Sequence, residues 1–256
     1  MTVVILGCGF TGKRVAQRML NRGARVIATS RNPKKIAPLG VEAVRVEDVP
    51  QVLEPGCLVL HSIPPEGAPN VRALLGDAPA RVVYLSTTGV YGSAKFVDET
   101  TPVDDTSERA RVRLSAEREI AAGPWSTLVL RPAAIYGPGR GVQESVRAGT
   151  YPPGENYISR IHVDDLAAHA EAALLSNLTG AYPVADLEPC TSREIAEFCA
   201  NLLNVALPTG PVAAPRIFGD RHVDGSAIRK LLGIGLQYPS YRTGIPASIA
   251  AVSWKS

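Results

Sequence analysis

The sequence has few cysteines and no long apolar run, and both scarcities exclude classes of protein. Its four cysteines, Cys8, Cys57, Cys190 and Cys199, lie far apart and form no CxxC pair. This spacing argues against a disulfide framework or a zinc site, and it predicts reduced, buried thiols in a cytoplasmic protein. No apolar stretch is long enough to span a bilayer, and the first residues read as a strand and a turn rather than a signal peptide. We therefore expect no membrane association.

Acidic residues are missing from the first part of the chain. The net charge of +3 is too small to indicate a nucleic-acid partner, but Met1 to Val41 contains eight Lys and Arg and no Asp or Glu. A local positive field suits a ligand that carries phosphate. The alternative is a solvated helix face, since Lys13, Arg14, Arg18 and Arg22 fall on one predicted helix. The sequence leaves both interpretations open.

Apolar segments alternate as strand, helix and strand along the chain. Val3–Leu6 is a β-branched run, a glycine turn and a helical pattern follow, and Arg25–Thr29 predicts a second strand. Such a βαβ unit implies a parallel sheet. Further strands are predicted at Ala43–Val46, Leu58–His61, Val82–Ser86, Ser126–Leu130 and Ala181–Ala185, and helices at about 71–75, 107–121, 163–175 and 192–203. The fold class is therefore α/β, a Rossmann doubly wound parallel sheet with helices on both faces.

Proline and glycine interrupt this pattern repeatedly after Arg131. The remaining elements are short, and no linker separates them from the sheet. We expect a single domain over residues 1–256, in which about 137–256 contribute a smaller α/β lobe packed against the carboxyl edge of the sheet.

The first turn reads Gly7-Cys8-Gly9-Phe10-Thr11-Gly12 between a predicted strand and a predicted helix. Gly7 permits the tight turn, Gly9 lets the backbone approach a pyrophosphate, and Gly12 lets the helix pack on the sheet. The helix N-terminus, around Phe10 and Thr11, adds free N–H groups and a positive dipole end for the phosphates. The turn therefore predicts a dinucleotide site with these five residues in contact with the cofactor.

The end of the second predicted strand indicates which dinucleotide binds. An NAD site usually has a carboxylate there, but this chain has Ser30 and Arg31, with Lys34 and Lys35 close behind. Arg31 can bind a 2′-phosphate with a charge-assisted hydrogen bond, so the segment predicts NADP rather than NAD. The alternative is that Arg31 is a solvated loop residue. The segment His61-Ser62 follows the fourth strand, and we expect a backbone contact there to the adenosine or its ribose.

Four segments resemble the extended, epimerase/dehydratase-like branch of the short-chain dehydrogenase/reductase superfamily. They are the glycine turn, Val83–Gly92 (VYLSTTGVYG), Leu130–Gly139 (LRPAAIYGPG) and Arg160–Ala167 (RIHVDDLA). Their order and spacing match that branch over about two thirds of the chain. The resemblance implies NAD(P)-dependent chemistry on a small-molecule substrate bound by the smaller lobe. By analogy, it also implies a homodimer formed through two helices beside the active site.

The resemblance also assigns roles after the fifth strand. In enzymes of this branch a Ser or Thr there binds the substrate carbonyl, and a Tyr on the next helix transfers the proton. A Lys one turn later lowers the pKa of that Tyr and holds the ribose. Thr87 stands at the Ser/Thr position, with Ser86 beside it toward the cofactor and Thr88 toward the substrate.

The next predicted helix departs from the family pattern. Aligning it on Glu117 puts Arg113 at the Lys position and Arg109 at the Tyr position, so this helix lacks the YxxxK motif. Arg113 can still hold the nicotinamide ribose and stays among the catalytic candidates. Arg109 cannot deliver a proton, because its guanidinium remains charged.

Three residues are candidates for the missing proton donor. Tyr91 lies in the loop after the fifth strand, Tyr136 lies after the sixth, and His162 lies at the edge of the smaller lobe. The alternative role of the two tyrosines is packing. The alternative role of His162 is to order its loop, and it is also a candidate substrate contact.

Arginines and carboxylates complete the set of candidates. Arg131, Arg140 and Arg160 fall by pattern at the carboxyl edge of the sheet, where open α/β sheets bind ligands. Together they suit an anionic substrate, although arginines also occur on plain loops. Asp164 and Asp165 fit a helix N-terminus better than a metal site.

Other catalytic motifs are missing from the sequence. It has no GxSxG elbow, no P-loop and no clustered metal ligands, so we expect no bound metal. Two hypotheses follow. The first is an NADP-dependent oxidoreductase or epimerase-like enzyme with a non-standard proton donor. The second is a non-catalytic NADP-binding sensor or regulator.

Overall fold

The computed structural model describes residues 1–151, 153–207 and 220–253. Its strands are β1 (Thr2–Leu6), β2 (Arg25–Thr29), β3 (Glu42–Val44), β4 (Cys57–His61), β5 (Pro79–Leu85), β6 (Phe96–Val97), β7 (Ser126–Pro132), β8 (Ala134–Tyr136), β9 (Tyr157–Ile158), β10 (Arg160–His162), β11 (Gly180–Val184), β12 (Cys190–Thr191) and β13 (His222–Val223). Its α-helices are α1 (Gly12–Asn21), α2 (Val71–Leu75), α3 (Glu108–Ala121), α4 (Val142–Arg147), α5 (Val163–Leu174), α6 (Ser192–Leu203), α7 (Ser226–Leu232) and α8 (Tyr241–Ser253). Short helical turns fill several connections.

Seven of these strands form one parallel sheet in the order β11-β7-β5-β4-β1-β2-β3. β1 pairs with β2 on one side and with β4 on the other, so the strand order reverses at β1. Open α/β sheets bind ligands outside the carboxyl ends of the strands at such a point. The Rossmann sheet predicted from the alternation is confirmed, and Gly7 lies directly at the reversal.

Both faces of the sheet are covered by helices. Val3 and Ile5 of β1 pack with residues of α1 and α5, whereas Val4 and Leu6 pack with residues of α2 and α3. Successive side chains of a strand point to opposite faces, so burial of both faces requires an unbroken apolar run. This explains why β1 reads as continuously apolar in the sequence.

Most strand boundaries differ from the sequence expectation by one to three residues, with the largest differences in β3 and β5. β3 ends at Val44, because Val46 opens a short helical turn that continues to Gln51. β5 begins at Pro79 and ends at Leu85, so that Ser86 lies just beyond the strand. A proline is tolerated at the first residue of a strand, where its missing N–H leaves the rest of the ladder intact.

The basic face of α1 packs against acidic residues of α5. Arg14 pairs with Asp164 at 2.6 Å, and Arg18 and Arg22 both bind the carboxylate of Glu171. These three charges are therefore largely neutralised within the fold, and neither a phosphate ligand nor plain solvation accounts for them. Asp164 lies in the first turn of α5, as the sequence suggested.

In the described ranges, the residues after β7 build two small two-stranded sheets, β8–β10 and β9–β12, and β13 forms a third with β6, which precedes β7. A separate apolar cluster joins α4, α6 and α8, with Val146, Ile195 and Ile245 fully buried in it. Among the described ranges, no helix is both long enough and apolar enough to cross a membrane.

Candidate active site

The glycine turn has a specific mechanical reason for each glycine. Gly7 has φ +90°, which L side chains rarely adopt, and its N–H donates to the hydroxyl of Thr29 at 2.9 Å. A Cβ on Gly12 would lie 2.4 Å from the carbonyl oxygen of Gly7, so the helix can approach the turn only without a side chain there. A Cβ on Gly9 would meet no protein atom within 4 Å. Gly9 therefore faces open space, as a backbone that approaches a pyrophosphate must.

The N-terminus of α1 opens onto the same space. Thr11 is the N-cap residue, its side chain makes no capping hydrogen bond, and the first turn contains no acidic residue. The helix therefore presents N–H groups and a positive dipole end without an internal counter-charge. This is the arrangement that binds a phosphate.

A cleft of about 940 Å³ runs from the glycine turn along the ends of β2, β3 and β4, and we name it the dinucleotide cleft. It is lined by Gly7, Gly9, Ser30, Arg31 and Ser62 of the predicted cofactor residues. Arg31 is exposed and has no ion-pair partner in the part of the chain that the structure describes. Its charge is therefore available to a ligand.

Lys35 and Arg45 line the dinucleotide cleft as well, whereas Lys34 does not. Arg45 was not among the sequence candidates. Its partner Glu47 lies 3.7 Å away on the exposed surface, and such a pair is weak. Arg45 follows β3, which pairs with β2, so the two strands deliver Arg31 and Arg45 to the same edge. Pairing of β2 and β3 in a parallel sheet is the signal that points to it.

The segment after β4 packs against the glycine turn and binds its backbone carbonyl groups. The hydroxyl of Ser62 lies 2.7 Å from the carbonyl oxygen of Gly7 and 3.1 Å from that of Leu6. His61 is buried and stacks on Tyr84 with ring centroids 5.0 Å apart. His61 is 1% exposed, and this burial lowers its pKa to about 4, which favours the neutral ring. Its side chain is thus a core group next to the cofactor segment.

A second opening of about 260 Å³ lies beside Thr87, and we name it the Thr87 pocket. Its polar lining residues are Thr87, Thr88, Arg109, Tyr157, Ser159 and Arg221. The Thr87 hydroxyl oxygen accepts a hydrogen bond from the Gly89 N–H at 3.1 Å. Its own hydrogen remains available as a donor to a bound molecule.

Arg221 is a pocket residue that sequence reasoning missed. Its guanidinium donates to the carbonyl oxygens of Thr88, Gly92 and Ala94, and burial lowers its pKa. It has no carboxylate partner among the described residues, so a positive charge lies partly buried at the pocket. The sequence offers little indication of this contact, because Arg221 is more than 120 residues from the loop and stands just before the two-residue strand β13.

Three predicted site residues meet instead with Glu117 in a buried network under the loop. Arg131 binds both oxygens of Glu117, at 3.1 and 2.7 Å, and the Ser86 hydroxyl donates to the same carboxylate at 2.5 Å. Arg131 also donates to the hydroxyl of Tyr91 at 3.1 Å. Ser86, Tyr91 and Arg131 therefore saturate one another and Glu117, and none of the three lines the Thr87 pocket.

Tyr91 also begins a YxxxK spacing that ends at Lys95. These residues lie in the loop between β5 and β6, and Lys95 is exposed and pairs with Asp220 at 2.6 Å. Tyr91 is 1% exposed, and burial raises its pKa. The spacing therefore does not place a Lys next to a reactive phenol.

Tyr136, Arg160 and His162 lie in the packing around β8 and β10. Tyr136 is 2% exposed and lies 3.3 Å from the carbonyl oxygen of Ser240, and burial raises its pKa far above the ordinary value. His162 accepts a hydrogen bond from the N–H of Asp164 and caps α5, and burial lowers its pKa to about 4. Arg160 donates to the carbonyl oxygen of Ile158 at 2.8 Å.

The three arginines of the carboxyl edge do not converge, which corrects the sequence expectation. The Arg131 guanidinium donates to the carboxylate of Glu117, and the Arg160 guanidinium donates to the sulfur of Cys190. The Arg140 guanidinium lies over the ring of Phe10. Parallel strands bring residues to one edge, but the direction of each side chain depends on its partner.

Two of the arginines of α3, Arg109 and Arg113, lie at different openings. Arg109 lines the Thr87 pocket. The Arg113 side chain is 13% exposed, pairs with Glu66 of the dinucleotide cleft at 3.4 Å, and leaves its Nε without a partner. Arg113 therefore lies at the edge of the cleft. No group of side chains in the described ranges has the arrangement of a metal site.

Comparisons with known proteins place this geometry in a family. The family model described as NADP oxidoreductase coenzyme F420-dependent matches residues 2–89. A 3-diazoavenalumate denitrifying reductase of a Streptomyces species is 33% identical over 86% of this chain and 86% of its own length. A functionally unknown conserved protein from Silicibacter pomeroyi is 34% identical, with a TM-score of 0.83 over 98% of both chains.

A putative NAD-dependent epimerase/dehydratase from Methylobacillus flagellatus is 27% identical, with a TM-score of 0.81 over 98% of both chains. The similarity therefore extends through the sheet and the residues after β7. These matches agree with the parallel sheet described above. The chain belongs to the NAD(P)-dependent epimerase/dehydratase-like family.

Proposed function

We propose that this protein is an NADP-dependent oxidoreductase that acts on a small anionic substrate in the Thr87 pocket. One observation carries the proposal: the open glycine turn shares its cleft with Arg31, Lys35 and Arg45. A dinucleotide with a third phosphate on its ribose matches both features, because the turn accepts the diphosphate and the cations accept the 2′-phosphate.

The residues present fit such a cofactor. Gly9 offers open space to the diphosphate, and the uncapped N-terminus of α1 offers N–H groups. Arg31 and Ser30 stand where the 2′-substituent of the ribose falls in this fold. Arg113 lies where the family pattern places the residue that holds the nicotinamide ribose. When bound, the nicotinamide ring supplies or accepts a hydride.

The chain itself supplies orientation and a proton at the Thr87 pocket. The free hydrogen of the Thr87 hydroxyl suits a substrate carbonyl oxygen. Tyr157 lines the same pocket, so its phenol is the candidate proton donor that the geometry favours over the buried Tyr91 and Tyr136. The unneutralised charge of Arg221 favours a substrate that carries a carboxylate or phosphate.

Titration with NADPH and with NADH, followed by fluorescence, tests the cofactor assignment. Wild type is expected to bind NADPH more tightly, and Arg31→Ala should weaken NADPH binding by about 10- to 100-fold, the value of one charge-assisted hydrogen bond. NADH binding should not change. Lys34→Ala is the matched control, because Lys34 lies in the same segment and does not line the cleft. Equal affinities of wild type for the two cofactors would contradict the NADP assignment.

The alternative function is a non-catalytic NADP-binding sensor, which needs a closed nicotinamide side and an exposed apolar patch. Phe96 and Leu187 are 75% and 62% exposed and line a separate cleft, so a patch is present. The open Thr87 pocket favours the enzyme, as does the name of the Streptomyces reductase. Oxidation of NADPH with any member of a panel of carbonyl-containing carboxylates would support the enzyme. Tight NADPH binding without oxidation across the panel would favour the sensor.

A further inference from the structure

We propose that Arg140 binds the diphosphate of the dinucleotide from across the glycine turn. The proposal rests on the cofactor function proposed above. It transfers Arg140 from the substrate side, where the sequence pattern suggested it, to the cofactor side.

The loop that carries Arg140 is held in place by its own backbone. Gly137 and Arg140 exchange N–H···O hydrogen bonds of 2.8 and 3.0 Å. The fully buried Gln143 donates to the carbonyl oxygens of both, at 2.8 and 3.2 Å. The loop is therefore fixed, while the Arg140 side chain extends into solvent.

This fixed loop packs directly on the glycine turn. The guanidinium carbon of Arg140 lies 5.2 Å from the centroid of the Phe10 ring, and Phe10 stands between Gly9 and Thr11. A Cβ on Gly137 would lie 3.2 Å from Cζ of Phe10, so the two segments are in close contact. Arg140 is thus held next to the turn that faces open space.

The charge of Arg140 is not neutralised, in contrast to that of its neighbour. Arg14 lies over the same ring at 4.5 Å, but it pairs with Asp164 and donates to the carbonyl oxygen of Phe10. Arg140 has no carboxylate partner in the ranges that the structure describes. Stacking on the half-buried ring of Phe10 stabilises the position of the guanidinium without removing its charge. A diphosphate over the glycine turn is the anion that would do so.

The substrate side does not explain Arg140 equally well. The cationic residues that line the Thr87 pocket are Arg109 and Arg221, and Arg140 is not among its lining residues. Arg140 does not line the dinucleotide cleft either, but its guanidinium lies over the ring of Phe10, which belongs to the glycine turn itself. The loop would then link cofactor binding to the order of the chain around β8 and α4.

Calorimetric titration of Arg140→Ala with NADPH, NADH and 2′-AMP tests the proposal. The two dinucleotides contain a diphosphate and 2′-AMP does not. We expect about tenfold or greater weakening of both dinucleotides, the size of a lost charge-assisted hydrogen bond, and unchanged binding of 2′-AMP. Arg31→Ala should give the opposite pattern, with weaker NADPH and 2′-AMP and unchanged NADH. Arg147→Ala, an exposed arginine of α4 that pairs with Glu144, is the matched control.

Two results would overturn the inference. Wild-type affinity of Arg140→Ala for both dinucleotides would show that Arg140 does not touch the diphosphate. An equal loss of 2′-AMP binding would show a general disturbance of the cleft. Circular dichroism of the variant would then show whether its secondary structure has changed. If wild type binds NADPH and NADH equally, the NADP assignment fails, but the diphosphate comparison still decides the role of Arg140. If wild type binds neither dinucleotide, both proposals fail.

Discussion

The dinucleotide cleft and the buried network behind the Thr87 pocket belong to the same parallel sheet, yet their polar groups are arranged in opposite ways. In the cleft, Gly9 faces open space and Arg31 has no ion-pair partner among the residues that the structure describes. Behind the pocket, Ser86, Glu117 and Arg131 saturate one another in a buried network. Polar groups left open indicate ligand binding, whereas polar groups that are buried and paired indicate support of the loop above them.

The largest expected effect comes from disrupting the buried network of Ser86, Glu117 and Arg131. Glu117→Gln leaves the buried guanidinium of Arg131 without its counter-charge, which should lower the free energy of unfolding by about 3–5 kcal/mol. Urea denaturation measures the change. Glu119→Gln on the exposed face of the same helix is the control and should stay within about 0.5 kcal/mol. A loss below about 1 kcal/mol for Glu117→Gln would mean that the network does not support the loop.

The buried histidines predict a loss of stability in acid. Burial lowers the pKa of His61, His162 and His169 to about 4, while an unfolded chain titrates these groups near 6.5. Between these values the unfolded state binds more protons, so their stabilising contribution is complete above pH 6.5 and is lost as the pH falls toward 4. Each contributes about 3 kcal/mol at most.

His61→Phe isolates one of these contributions. The ring keeps its stacking on Tyr84, and the free energy of unfolding should fall less steeply than in wild type between pH 6.5 and 4.5. Burial raises the pKa of Asp186 to about 8, and that carboxyl acts with the opposite sign in both proteins, so the difference between them reports on the histidine. Parallel pH profiles would show that His61 is protonated in the folded state.

The smallest expected effects come from two substitutions in the glycine turn of the dinucleotide cleft. Gly12→Ala places a methyl group 2.4 Å from the Gly7 carbonyl oxygen and should destabilise the fold by about 1–3 kcal/mol. Gly9→Ala meets no protein atom and should keep the melting temperature of wild type, while it weakens NADPH binding because the methyl group occupies the open space. Thermal unfolding and fluorescence titration of both variants check this. Destabilisation by Gly9→Ala would mean that the space is not open.

Much of the cofactor side could be predicted from the sequence. The glycine turn, Ser30 and Arg31 belong to one βαβ unit, and their positions follow from local rules about turns and strand ends. Arg45 escaped prediction because its place depends on the pairing of β2 with β3. The sequence also left the role of the basic face of α1 open, because only the packing of α5 brings Asp164 and Glu171 to it.

The side around Thr87 could be predicted only in part. Thr87 follows directly from the end of β5, but Arg221 and Tyr157 reach the pocket from distant segments. The sequence placed Arg131, Arg140 and Arg160 at one edge, and the structure sends each side chain to a different partner. Spacing along a chain locates the end of a strand, whereas side-chain direction depends on burial and on the nearest counter-charge.

The sequence by itself determined the fold class, the position of the glycine turn and the lack of YxxxK on α3, because these depend on neighbouring residues and a fixed periodicity. Only the tertiary structure decided which charges are neutralised and which face a ligand. That decision depends on contacts between residues far apart in the chain, such as Arg14 with Asp164 and Arg131 with Glu117. The sequence shows which residues are charged. Whether a charge can bind a ligand depends on which groups the fold places within a few ångströms of it.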